Sequence, residues 1–543
     1  MIIKANYIDI KNRTIFPAKV TVEESKIISI DKIEETLSTY ILAGFIDAHI
    51  HIESSMLIPS EFARLSVKHG TVATVSDPHE IANVLGVEGV EFMLNNAKKV
   101  NFNFNFGVSP CVPATPFETN GATLDAQTVK TLLQNPKLNH LAEVMAFPSV
   151  INNDPEMMAK IEFAKELNIP IDGHAPLVRG DDLKKYIDAG ISTDHEASSY
   201  DEAKEKLELG MKILIREGSA AKNYEALAPL IAEYPDMLMF CSDDKHPNDL
   251  LKGHINELVI RSLKKGYNLF DILTIACLNP KEHYSLDVGQ LQVGDKADFI
   301  EIDNLEDFNI LTTIINGEIV SKDGETNITS VVETPINNFH TLNTQPSDFI
   351  FTTQSDELEV IQVIDHELFT LEKKYHTKEG KIFQTNLEED ILKIVVINRY
   401  KPSLPSISFI NGFKLSQGAI ASSVAHDSHN IIAVGCNDEE ISKAINLLIS
   451  SKGGVTAVND KKSLHLPLEV AGIMSHNDAF EVADKYEEID RFVKEELHST
   501  LSAPFMTLSF MALLVIPEIK LSDKGLFDGR TFHFIPSCVE DSL

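Results

Sequence analysis

Apolar positions along the chain follow two rhythms. Residues 1–40 alternate in the two-residue period of short strands, as in "MIIKANYIDI", "TIFPAKVTVEE" and "KIISIDKIEE". From Thr39 the pattern changes to short apolar runs separated by longer amphipathic stretches. The runs are "YILAGFIDAHIHIE", "TVATVSDP", "FNFNFGVSP", "HLAEVMAFP", "IPIDGHAP", "ISTDHE", "MKILIREGS" and "MLMFCSDD". Helix-like segments such as "PSEFARLSVKHG" and "PEMMAKIEFAKELN" lie between most of them. Eight strand-like units, each with a helical partner, predict an α/β fold built on a TIM-like (β/α)8 barrel over residues 41–284.

Beyond the barrel, "LDVGQLQVGDKADFIEID" and "ILTTIINGEIVSKDGE" return to short strands with turn glycines. Residues 285–335 are therefore expected to pair with residues 1–40 in a small split β-sandwich domain. The polar stretch "NNFHTLNTQPSD" (337–348) reads as a linker within the start of a C-terminal α/β domain, residues 336–543. The most apolar run, "FMTLSFMALLVI" (505–516), is too short to span a bilayer and is expected in a core.

Composition narrows the function classes. A chain of 543 residues is too long for one core, and 43% hydrophobic with 24% charged residues is ordinary for a globular protein. A formal net charge of -33 argues against nucleic acid or an anionic membrane as partner. The N-terminus has no basic segment followed by an apolar core, so no signal peptide is expected. Cys111, Cys241, Cys277, Cys436 and Cys538 are odd in number and lack CxxC spacing. That usage fits the cytoplasm and offers no thiolate metal site.

The chemistry lies in "AGFIDAHIHIESSM" (43–56). In a strand, Asp47, His49 and His51 share one face, with Ile46, Ile50 and Ile52 on the other. An isolated His-x-His is commonly a pair of core or surface histidines. Here the pair is joined by polar residues at other strand ends, where barrel active sites form: Glu143, His174, His195 and Asp243. Such convergence is the usual way to hold a catalytic divalent cation with an open position, and these six groups suffice for two. Glu143 has two oxygens and could bridge them. Imidazole and carboxylate suit zinc, iron(II) or manganese(II), and spacing does not choose among them. Asp47 reads as support beneath the histidines, and Glu53 has no assignment.

These residues, with the split β domain and "GQLQVGDKADF", resemble the amidohydrolase superfamily. More narrowly, "GFIDAHIHIESSM", "SDPHEIANVLG", "SPCVPATPFETNGA", "IDGHAP", "STDHEA", "REGSAAKN", "CSDDKHP" and "GAIASSVAHDSHNIIAVG" resemble the bacterial adenine deaminase family over essentially the whole chain. The resemblance implies a binuclear centre. His49 and His51 with Asp243 would hold one ion, and His174 and His195 the other. Glu143 would bridge where many relatives use a carboxylated lysine. It further implies manganese or iron(II), with zinc the alternative, and hydrolysis of adenine to hypoxanthine and ammonia. Asp243 would carry the proton from the attacking water to the leaving amine.

Charge relief at N1 of the ring needs a donor, and His79, Glu80 and Glu118 are the candidates; "DPH" also reads as a plain turn. Arg216 and Glu217 read equally as purine contacts or as a strand-end ion pair, with Ser219 capping the next helix. Asp244 and His246 are expected behind the ligands or in a loop. His426, Asp427 and His429 are expected to ligate metal, to complete the pocket, or to form a turn. A different amidohydrolase activity and a non-catalytic scaffold are the competing readings. A small-molecule substrate is expected, and a homodimer or larger homo-oligomer is left open.

Overall fold

The computed structural model describes residues 1–352, 355–377 and 382–535; Cys538 lies outside them. The eight barrel strands are β1 (Phe45–Ile50), β2 (Thr71–Ser76), β3 (Asn103–Val108), β4 (Leu138–Val144), β5 (Ile171–Gly173), β6 (Thr193–Asp194), β7 (Lys212–Arg216) and β8 (Leu238–Cys241). β1 to β5 form one parallel arc and β6 to β8 another. Backbone bonds join the arcs at both seams. Ser192 N–H donates to Ile171 O at 2.9 Å, and Asp243 N–H donates to His49 O at 3.0 Å. β1, β2 and β8 are buried at every position, as strands covered on one face by helices and on the other by the barrel interior must be.

The run "YILAGFIDAHIHIE" is not one strand. It divides at Gly44, where a Cβ would lie 2.2 Å from Val72 Cγ1, so a side chain there would collide with β2. The first part, Tyr40–Ala43, leaves the barrel and pairs antiparallel with Phe299–Ile302 and parallel with Asn6 and Tyr7. It is the join in a single eight-stranded sheet made from the first 32 residues, this strand, and four strands between Phe299 and Thr326. That sheet curls, because Lys26 on its far edge bridges to Lys296. Ala5, Tyr7, Val20, Ile41, Phe299 and Ile314 fill its core.

A second eight-stranded sheet holds the strands from Glu357 to Pro467 except Ile382–Phe383, which pairs with Phe351–Thr352. Helix Asp438–Ser451 packs on its central strands, its start capped by the Asn437 side chain on Glu440 N–H. The apolar run at 505–516 supplies the buried helix Pro504–Phe510 and the turn after it. Helix Ala479–Glu495 lies against the barrel helices Pro59–Ser66 and Pro247–Lys252. Arg64 Nη1 donates to Asp478 Oδ2 at 2.6 Å, and Ser475 N–H donates to Met56 O at 2.7 Å, just past the end of β1. The C-terminal sheet is thereby held beside the barrel mouth. No helix among the described residues is long and apolar enough to cross a membrane.

Candidate metal centre and substrate cavity

β1 ends at Ile50, and its ladder with β2 slips between Asp47 and Ile50. His49 therefore sits in the strand and His51 just beyond it. Asp47 braces this end of the barrel from below. Its carboxylate accepts from Ser242 N–H at 3.0 Å, from His49 N–H at 3.3 Å and from Ser242 Oγ, and meets His254 Nε2 at 2.7 Å. His254 Nδ1 in turn meets Thr71 Oγ1 at 2.7 Å, so β1, β2 and β8 share one polar clamp. His51 Nδ1 lies 3.1 Å from Asp77 O; donating there leaves its Nε2 lone pair turned to the site.

Glu143 stands at the centre with its two oxygens facing different histidines. Oε1 lies 3.2 Å from His51 Nε2 and 3.9 Å from His49 Nε2. Oε2 lies 2.9 Å from His174 Nδ1 and 3.4 Å from His195 Nε2. Asp243 Oδ1 faces the first pair, 3.5 Å from His49 Nε2 and 3.1 Å from His51 Nε2. Two donors bound at about 2.1 Å to one ion stand roughly 3–3.7 Å apart, so these separations are mostly those of shared coordination. His49 Nε2 and His174 Nε2 are buried without a hydrogen-bond partner, as ligand atoms awaiting a cation are. The donor set fits two divalent ions.

Charge is balanced within the group. Burial alone would raise the Glu143 carboxyl, but bonds from His174, His195 and His51 hold it well below the usual range. Burial likewise opposes charge on Asp243, and Arg216, His49 and His51 outweigh it. Burial, with His195 stacked at 4.2 Å, pushes His49 down and keeps its imidazole neutral, the form that binds metal.

A narrow cavity opens on this group. His51, Glu143, His174, His195 and Asp243 line one side of it. His79, Glu80, His426 and Asp427 line another part, and Leu368, Phe510 and Leu513 add apolar surface. His79 Nδ1 lies 3.1 Å from Asp77 Oδ2, and its Nε2 lies 3.4 Å from Glu80 Oε1 and 3.7 Å from Asp427 Oδ1. Glu80 accepts from both His426 Nδ1 and His429 Nε2. Burial opposes charge on His426, yet Glu80 and Asp244 outweigh it and bring the imidazole up to about 9.

Arg216 lines the cavity as one member of a buried ion-pair group, with Nη1 on Glu196 and 2.6 Å from Asp243 Oδ2. Two expected residues are not brought to the cavity. Glu217 turns to Arg261, at 3.0 and 3.1 Å. Glu118 is buried behind Asp427, and burial with that neighbouring charge raises its carboxyl well above the usual range. Asp244 lines the cavity and accepts from Ser54 Oγ at 2.5 Å, whereas His246 faces away to Tyr486 Oη at 2.6 Å. Ser219 accepts from His246 N–H at 2.9 Å, at the start of the helix Pro247–Lys252.

Glu196 and Asp77 also belong to the site, and they stand inside the motifs "STDHEA" and "SDPHEIANVLG". An acid beside each histidine was the available signal. The apolar residues Leu368, Phe510 and Leu513 carried none, because nothing local marks a leucine or phenylalanine as facing a distant metal site.

Comparison with known proteins adds identity to this geometry. The amidohydrolase family model matches residues 40–320, and the model of the adenine deaminase C-terminal domain matches residues 367–533. An adenine deaminase from Sulfurovum sp. (strain NBC37-1) is 60% identical over 539 residues, covering 99% of this chain and 100% of its own. One from Borreliella afzelii (strain PKo) is 51% identical, covering 98% and 99%. One from Methanosarcina mazei is 49% identical, covering 97% and 98%.

Proposed function

The chain belongs to the adenine deaminase family of the amidohydrolases, and from that premise we propose that it hydrolyses adenine to hypoxanthine and ammonia in purine salvage. The observation that carries the reading is the make-up of the cavity. The segment matched by the adenine deaminase C-terminal model contributes Leu368, His426, Asp427, Phe510 and Leu513 to the same cavity as five of the six metal-binding candidates. A barrel site alone would serve many amidohydrolase reactions, so this contributed surface is what favours a purine.

In our reading His49, His51 and Asp243 would hold one cation and His174 and His195 the other, with Glu143 available to both. A cation pair bound there supplies an acidified water at neutral pH. Manganese or iron(II) is the proposed pair, with zinc as the alternative that the same donors accept. Asp243 takes the proton of the attacking water and delivers it to the amine leaving C6. Arg216 holds Oδ2 of the same carboxylate and keeps it ionised between turnovers. The balance closes, since adenine gains one water and loses one ammonia.

The N1 side of the ring is assigned to the group around Glu80. Glu80 is engaged by two imidazoles and is poorly suited to donate a proton itself. It positions His426, whose Nε2 has no hydrogen-bond partner and is free to meet the ring. His79 lines the cavity beside Glu80. The reaction is placed in the cytoplasm, and the split sheet, the barrel and the C-terminal α/β region are proposed to act as three structural units.

The test is ammonia release from adenine by metal-stripped protein given manganese(II) or iron(II). Hypoxanthine formed in step with ammonia is expected. Hydrolysis of a cyclic amide with adenine left intact would overturn the reading.

A further inference from the structure

His79, Glu80 and Asp427 form a buried donor group beside the six candidates and adjoin them at His79, whose Nδ1 lies 3.5 Å from Glu143 Oε1 while its Nε2 faces Glu80 and Asp427. His79 and Glu80 open the helix that follows β2, while Asp427 comes from the C-terminal segment between the strands Ala419–Ser422 and Ile431–Gly435. We propose that this group binds a third divalent cation, a site that joins the barrel to the C-terminal region.

Asp77 Oδ2 lies 3.1 Å from His79 Nδ1, and a carboxylate only accepts, so Nδ1 carries the proton. Nε2 then presents its lone pair to Glu80 Oε1 and Asp427 Oδ1, at 3.4 and 3.7 Å. Three electron pairs converging in a buried space repel unless something positive lies among them. A proton on Nε2 is a poor solution, because ring N–H bonds run at about 2.7–3.2 Å and both contacts are longer. The separations are instead those of donors sharing one ion at about 2.1 Å. Contacts of 3.1 to 3.5 Å recur among His51, His49, His195, Glu143 and Asp243 in the first group.

A second observation points the same way. Asp427 Oδ2 is buried with no hydrogen-bond partner, and Asp427 is only 3% exposed. A carboxylate left so bare in a protein interior is costly unless a cation neutralises it. The surrounding histidines are not needed as ligands. His429 Nδ1 accepts from Ala425 N–H at 3.3 Å, so its Nε2 bears the proton given to Glu80. It orients the carboxylate, as outer partners of metal ligands do. One imidazole and two carboxylates, without sulfur, select a manganese(II)- or iron(II)-like ion over a soft one.

The inference takes from the preceding reading only the count of two ions at the first group. The full chain is loaded with manganese(II), freed of unbound metal by gel filtration, and its manganese counted by plasma mass spectrometry. Crystals of the same protein are measured at the manganese edge. Three ions per chain are expected, falling to two in Asp427→Asn, with a third anomalous peak in ligand contact with His79, Glu80 and Asp427. Two ions in the wild type, both at Glu143, would overturn the site. Should Asp427→Asn not fold, the wild-type peaks decide alone. Adenine turnover on the same sample separates the two claims: turnover with two ions removes only the third site, and three ions without turnover removes only the reaction.

Discussion

The barrel mouth and two positions in the core of the C-terminal region bury charge in opposite ways. At the mouth the central acids meet bases: Glu143 faces five imidazoles, Asp243 faces His49, His51 and Arg216, and Glu196 faces Arg216. In the C-terminal region Lys520 and Arg399 are both 0% exposed, and their named partners are backbone carbonyls. Lys520 Nζ donates to Leu368 O at 2.6 Å, and Arg399 Nη2 donates to Ala471 O, leaving Nε and Nη1 without partners. Mutual pairing offsets desolvation at the mouth and leaves atoms free for cations. Lys520 has no such offset, so its burial lowers stability, while Arg399 has only the faces of Tyr400 and Phe339, at 5.3 and 5.7 Å, beside its one carbonyl.

Substitutions on the two sides should therefore behave differently. The largest effect is expected from Asp243→Asn, which should cut kcat on adenine by about 10²–10⁴-fold while circular dichroism stays native. Near-normal turnover would break the claim that the paired charges serve the reaction. Arg216→Gln should come next, because it leaves Glu196 and Asp243 as buried acids without their guanidinium. Denaturant unfolding of the metal-free protein should show a loss of about 3–5 kcal/mol. A loss under about 1 kcal/mol, within the range of an exposed pair, would show that the pairing matters little.

Lys520→Met should have the opposite sign. Burial pulls the Lys520 amine down to about 7 from its ordinary 10.5. The unfolded chain then binds the extra proton between those pH values, so wild-type stability gains with pH from about 7 to 10.5. The variant should be more stable by about 1–3 kcal/mol at pH 7, the lost bond to Leu368 O offsetting part of the gain. That advantage should shrink as pH approaches 10.5 and stay flat below 7. A constant difference across the range would mean that Lys520 is not held neutral by the fold. The smallest effect is expected from Glu217→Gln. Its partner Arg261 is partly exposed, so stability should move by about 0.2–1 kcal/mol and adenine turnover should stay at the wild-type level. A large loss of turnover would return Glu217 to the site.

Much of the first metal group was legible because two simple rules converge on it. The two-residue strand period puts His49 and His51 on one side, and parallel strands closing a barrel gather Glu143, His174, His195 and Asp243 at one end. The same rules misdrew detail. His51 lies past the end of β1, and Tyr40–Ala43 belongs to another sheet, since the local apolar run does not reveal the close packing of Gly44 on Val72. Arg216 and Glu217 were indistinguishable as neighbours in sequence, yet one faces Asp243 and the other Arg261.

The sequence by itself determined the barrel, the donor types at its strand ends and the family, because those depend on short-range periodicity and on motifs readable in order. Only the tertiary structure decided that Glu80 meets His426 and His429, 346 and 349 residues away, and that Leu368 and Phe510 share the same cavity. Such meetings follow from how whole apolar faces dock, and no residue on either side encodes its partner locally.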